Sequence, residues 1–163
     1  MSFEVMTRSL SAPPRWVEGY LTIPFTDRGR TERGCDCFGL VRLVMARRAK
    51  IMLATYGFVA CNDRGAISSA IGAAKLDSET WRAVPIEQAQ PLDVVPMLDL
   101  NELQNGAHDL VDGHVGIMVT DRHVLHTELA SGPVCLDRSH NSIVHRLHPQ
   151  GAPLVYRHRD QCK

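Results

Sequence analysis

Gly34-Cys35-Asp36-Cys37-Phe38-Gly39-Leu40 opens the strongest helical pattern in the chain. From Cys37 to about Lys50, Leu40, Val41, Val44 and Met45 repeat at helical spacing, which predicts one buried face. Arg47, Arg48 and Lys50 lie where the negative end of the helix dipole favours cations. Asp36 is placed to cap the first turn, and Cys37 falls inside that turn. A thiol there meets unsatisfied backbone N–H groups and the positive end of the dipole, so a depressed thiol pKa is expected. The same N–H groups can stabilise an oxyanion, and Gly39 lets another segment approach the helix start.

Around this helix the elements fall in a definite order. Trp16, Val17, Tyr20 and Leu21 predict a short helical turn after Pro13-Pro14, and 27–34 reads as a charged loop. A second, weaker helix is predicted over 63–75 on Ile67, Ile71 and Ala74. After Trp81 the period changes to two, with strands expected over 81–84, 92–97, 114–119, 122–127, 133–136 and 154–157. Helices first and short strands afterwards predict an α+β fold, with N-terminal helices packed on a small antiparallel sheet. Residues 1–163 read as one domain. Residues 1–12 carry no period and are expected to form an extended arm.

Composition narrows the function classes. Eighteen basic and eighteen acidic side chains cancel, and no cationic stripe supports nucleic-acid binding. Five cysteines in 163 residues are too few and odd in number for a disulfide scaffold. No signal-peptide pattern opens the chain and no apolar stretch is long enough to span a bilayer, so neither export by signal nor membrane insertion is expected. Cys35, Cys61, Cys135 and Cys162 are read as buried apolar thiols, and His108, His123, His140, His145, His148 and His158 as surface or loop residues.

His114 and His126 stand apart. His114-Val115-Gly116-Ile117-Met118-Val119 alternates, Thr120-Asp121-Arg122 supplies turn chemistry, and His123-Val124-Leu125-His126 returns. A hairpin centred on Thr120 puts the two histidines opposite each other on one face, whereas a two-residue loop separates them. The pairing therefore requires an odd loop or a bulge. Cysteine catalysis needs a thiol, an imidazole to take its proton, and a polar group to orient that imidazole. Glu128 shares the face but is the weaker choice of orienter. A zinc site from Cys35, Cys37, His114 and His126 is conceivable, but Cys-x-Cys is tighter than the usual spacing, so no metal or other cofactor is expected.

With these residues in place the chain resembles the NlpC-type cysteine peptidases, relatives of papain. Asp36-Cys37-Phe38-Gly39-Leu40, Leu92-Asp93-Val94-Val95, His114-Val115-Gly116-Ile117 and His126 follow the family's motifs in order, across residues 14–137. Gly34-Cys35-Asp36-Cys37 and the ending Val155-Tyr156-Arg157-His158-Arg159 look most like the branch of tailed phages and gene transfer agents. The resemblance implies a papain-like NlpC-type fold and hydrolysis of peptide bonds in peptidoglycan. It makes Cys37 the nucleophile, His114 the base and then acid, and His126 the orienting residue. Asp36, Phe25 and Phe38 would face substrate. Many relatives have Tyr at Phe25 and Ser at Phe38, and the strand glycine is Leu92 here, a change expected to affect only packing.

The implied setting is the tail tip of a phage-like particle acting during cell entry. Tail-tip or hub proteins would be partners, contacted through residues 1–12 and a loop at 101–112. The rival reading is a structural tail-tip adaptor with a weak or idle peptidase site. A third keeps the enzyme but moves the chemistry to acyl transfer or to an amide on a lipid or another peptide.

Overall fold

The computed structural model describes residues 11–55, 59–99, 112–147 and 153–162. The expected arm lies almost wholly outside these, as does nearly all of the 101–112 loop. Among the described residues, α1 (Glu18–Leu21) is preceded by a single 3-10 turn, and β1 (Arg30–Thr31) and β2 (Gly34–Cys35) form a small ribbon. Next come α2 (Cys37–Ala49), α3 (Arg64–Leu76), β3 (Trp81–Pro85), β4 (Val94–Leu98) and β5 (Asp112–Met118). Then follow β6 (His123–Glu128), β7 (Gly132–Asp137), α4 (Asn141–Val144) and β8 (Leu154–His158). The architecture is α+β, with α1 to α3 preceding a six-stranded antiparallel sheet of order β3-β8-β4-β5-β6-β7 and the short α4 between β7 and β8.

α2 is the central helix because its apolar stripe has a sheet to bury it. Leu40, Val41, Val44 and Met45 are essentially inaccessible and share one cluster with Val115, Ile117 and Leu125 of β5 and β6. The alternate positions Val95, Met97, Met118 and Val124 pack on the other side with Ile143 of α4. With both faces covered, strands read almost continuously apolar instead of alternating with polar residues. At its start, Asp36 has extended backbone and its Oδ1 accepts from the Gly39 N–H at 2.7 Å, as the sequence predicts. At its end, Lys50 turns left-handed, with φ 60°. Gly39 is required: a Cβ there would lie 2.1 Å from the Gly29 carbonyl oxygen.

Four sequence expectations need correction. The charged loop contains the β1–β2 ribbon, because Gly29 and Gly34 let two chain segments touch without side chains between them. α3 forms over the expected range, but none of its side chains is buried. Ile71 still packs, partly buried, against the core, and ion pairs tie the helix to the strand ends, Arg64 to Asp99 at 2.9 Å and Lys75 to Asp112 at 2.7 Å. Leu92 matters to more than packing, since its φ of 74° is left-handed backbone that favours glycine. His123 and His158 are buried, not surface residues; His123 is drawn in by the hydroxyl of Thr120, 2.9 Å from its Nδ1.

Asp93 anchors the sheet. Fully buried just before β4, it accepts from Arg157 Nε at 2.8 Å and Nη2 at 2.7 Å, and from the Gln90 N–H at 2.8 Å. This bidentate pair fixes β8 to the start of β4.

Candidate functional site

α2, β5 and β6 place the three singled-out residues. Cys37 is the first residue of α2, and the backbone N–H groups of Val115 and Phe38 point at its sulfur. Val115 adjoins His114, so this contact sets the thiol beside the histidine's own strand. Among the described residues no hydrogen bond joins Cys37 to His114, and catalytic contacts often tighten only when substrate binds.

A bulge aims His114. Met97 pairs with His114, but Leu98 pairs with Asp112, leaving Gly113 as an extra residue in β5. Bulges of this kind re-aim the neighbouring side chain. The β5–β6 register pairs Ile117 with Leu125 and Met118 with Val124, and Val119 N–H donates to the His123 carbonyl. The turn is therefore the odd loop that the histidine pairing requires, but it centres on Asp121, one residue beyond the expected Thr120. The Thr120 hydroxyl accepts from the N–H groups of Arg122 and His123 and holds this turn. His126 is consequently a diagonal neighbour of His114. The rings still meet: His114 Nε2 lies 3.0 Å from His126 Nδ1, with the ring planes 84° apart. With Nε2 committed to His126, Nδ1 is the His114 nitrogen left to face a nucleophile.

Glu128, the weaker choice of orienter, and Arg146, which the sequence does not mark, complete the cluster. Arg146 is buried after α4, donates from Nε to the Leu98 carbonyl at 2.9 Å, and pairs through Nη1 with Glu128 Oε1. That carboxylate oxygen lies 3.8 Å from both His114 Nε2 and His126 Nδ1. Glu128 shares the histidines' face in the strand pattern, whereas no motif surrounds Arg146.

A cavity of about 580 Å³ opens in front of this cluster, lined by Cys37, His114, Glu128, Phe25, Asp36 and Phe38 among others. The predicted substrate-facing residues thus share one wall with the thiol. Asp36 has little capacity left, since its oxygens are engaged by the Gly39 N–H and by Arg30. His126 lies behind His114, outside the lining. The apolar side of α3, with Ile67 and Ile71, forms the opposite wall. Cys35 is buried as expected, but Cys61 is exposed at the cavity rim, while the side chain of Cys162 lies outside the described residues.

Electrostatics overturn the expected thiolate. Burial first, and then the Asp36 carboxylate, push Cys37 up to about 12, outweighing the two N–H groups and Arg30. Burial, Arg146 and His126 hold His114 well below its ordinary value. Both shifts favour a neutral thiol beside a neutral imidazole. Alkylation by iodoacetamide at pH 6–7 should therefore spare Cys37 and modify exposed Cys61 first, with the Cys37 rate climbing steadily above pH 8. Mass mapping of time points checks this; rapid Cys37 labelling at pH 6 contradicts it.

The same burial sets an acid limit. His126 is lowered from 6.5 to about 4 by burial and Arg146. Below pH 6.5 the unfolded chain takes up a proton that the folded chain refuses, so stability is full above 6.5 and lost down to about 4. The loss is on the order of 3 kcal/mol. Urea melts of wild type and His126→Asn across this window should show a shallower pH slope for the variant.

No family model and no curated protein matches the sequence. Among solved structures, the chain is similar to the NlpC/p60 domain of the peptidoglycan hydrolase SagA, at 14% identity and a TM-score of 0.48. The match covers 74% of this chain and 82% of that one. Among the described residues no helix is long and apolar enough to cross a membrane.

Proposed function

We propose that this chain is an NlpC-type cysteine peptidase that hydrolyses peptide bonds in bacterial peptidoglycan. The observation that carries the reading is the convergence of Cys37, at a capped helix start, with His114 at one cavity wall and His126 hydrogen-bonded behind it. In the proposed reaction His114 Nδ1 takes the Cys37 proton as the sulfur attacks the scissile carbonyl carbon. His126 Nδ1 accepts from His114 Nε2–H and holds the imidazolium that forms. The backbone N–H of Cys37 itself, at the open start of α2, stabilises the oxyanion. Collapse expels the amine, which leaves with the proton from His114. Water, deprotonated by His114, then attacks the thioester and returns the thiol. A neutral resting pair makes the proton transfer part of the attack itself.

The proposed setting is the tail tip of a phage-like particle, with residues 1–12 docking to tail proteins. Deleting residues 1–12 should then abolish incorporation into particles while activity on isolated peptidoglycan survives. A second reading, acyl transfer or amide cleavage on a lipid, is favoured by the apolar cavity wall built from Phe25, Phe38, Ile67 and Ile71. Digesting purified peptidoglycan, and separately an N-acyl amide, with wild type and Cys37→Ala separates the two. Cys37-dependent new amino groups in peptidoglycan support the first reading. Turnover of the acyl amide alone supports the second, and no turnover of either supports an adaptor with an idle site.

A further inference from the structure

The peptidase reading leaves Glu128 without a task, although it stands beside both histidines. His114 Nε2 and His126 Nδ1 are 3.0 Å apart, and each lies 3.8 Å from Glu128 Oε1. A triangle with these sides has its centre about 2.1 Å from every corner, which matches zinc–imidazole and zinc–carboxylate bond lengths. Tetrahedral zinc sets two nitrogens roughly 3.3 Å apart, so the histidines need to open by only a few tenths of an ångström. Neither Cys35 nor Cys37 belongs to this group of donors.

We propose that His114, His126 and Glu128 form a zinc site, and that zinc bound there switches the hydrolase off. Two imidazoles and a carboxylate are a common protein donor set for this ion, leaving a fourth position for water. His114 and Glu128 line the cavity, which supplies both the entry path and that water. The inhibitory step follows from the tautomer. Zinc on His114 Nε2 forces the remaining ring proton onto Nδ1, and a ring with N–H on that side cannot take the proton of Cys37.

Arg146 gives the site a distinctive sign. Its guanidinium sits on the same carboxylate oxygen, where it can hydrogen-bond a ligating carboxylate yet repels a dication. Removing that charge should tighten zinc binding, whereas an adventitious surface site would not respond.

The metal site stands independently; only the switch rests on the peptidase reading. The purified protein is titrated with Zn²⁺ by calorimetry and with Co²⁺ by absorption spectroscopy. The expected result is one ion per chain, no thiolate-to-cobalt charge-transfer band, at least tenfold weaker binding in Glu128→Gln and His126→Asn, and tighter binding in Arg146→Met. If Arg146→Met does not fold, the two ligand variants decide. No binding, binding indifferent to both ligand variants, or a thiolate band overturns the site. Peptidoglycan cleavage that continues at full zinc occupancy overturns the switch. Ligand-dependent zinc binding by a protein that cleaves no peptidoglycan upholds the site and instead removes the peptidase reading.

Discussion

His114→Ala is expected to lower kcat on peptidoglycan by about 10²- to 10⁴-fold, the usual worth of a positioned general base. Cys37 makes the dependence steep. With its thiol pushed up to about 12, very little thiolate exists at neutral pH without a base to take the proton. His126→Asn should cost less, because a side-chain amide can still accept from His114 Nε2–H, whereas His126→Leu offers no acceptor. Graded losses in the order Asn, Leu, then His114→Ala would confirm the assigned roles, measured as kcat with folded protein verified by circular dichroism. Equal losses for Asn and Leu would remove the orienting role from His126.

Asp93→Ala should be the most damaging single change to stability, about 3–5 kcal/mol, because it strips a buried guanidinium of its neutralising carboxylate. Arg157 is itself buried and gives two donors to Asp93, and its other bond, to the Gln88 carbonyl at 3.1 Å, goes to a neutral acceptor that does not replace the lost charge. For a domain of this size that loss lowers Tm by roughly 10 °C. Replacing Asp93 and Arg157 together by apolar residues should be less harmful than Asp93→Ala alone, since no charge is then stranded. Thermal melts of the three variants check both statements.

The parts legible in the sequence are those governed by local rules. A helix stripe of Leu40, Val41, Val44 and Met45, a cap three residues before Gly39, and a shared parity for His114 and His126 all follow from periodicity and turn chemistry. What was illegible depends on contacts distant in the chain. Arg146 reaches Glu128 across 18 positions, and nothing in the residues around it marks that meeting. Leu92 stands where relatives carry a glycine, but that the position needs left-handed backbone shows only in its φ. The thiol was misjudged for a related reason. Helix-start N–H groups and the adjoining Asp36 carboxylate are both visible in the sequence, but the burial that tips the balance is a property of the packed site. Gly113 shows the mixed case: a glycine before a strand histidine is visible, while the bulge it makes needs the register of β4.

The central claim is that Cys37 forms a covalent acyl intermediate with a peptidoglycan stem peptide. It is tested most directly by mixing protein with soluble muropeptides, quenching in acid within the first turnover, and measuring intact mass. The account predicts a thioester adduct with the mass of a stem-peptide fragment, mapped to the Cys37 peptide and absent from Cys37→Ala. An adduct on Cys35 or Cys61, or muropeptide cleavage that persists in Cys37→Ala, would contradict it.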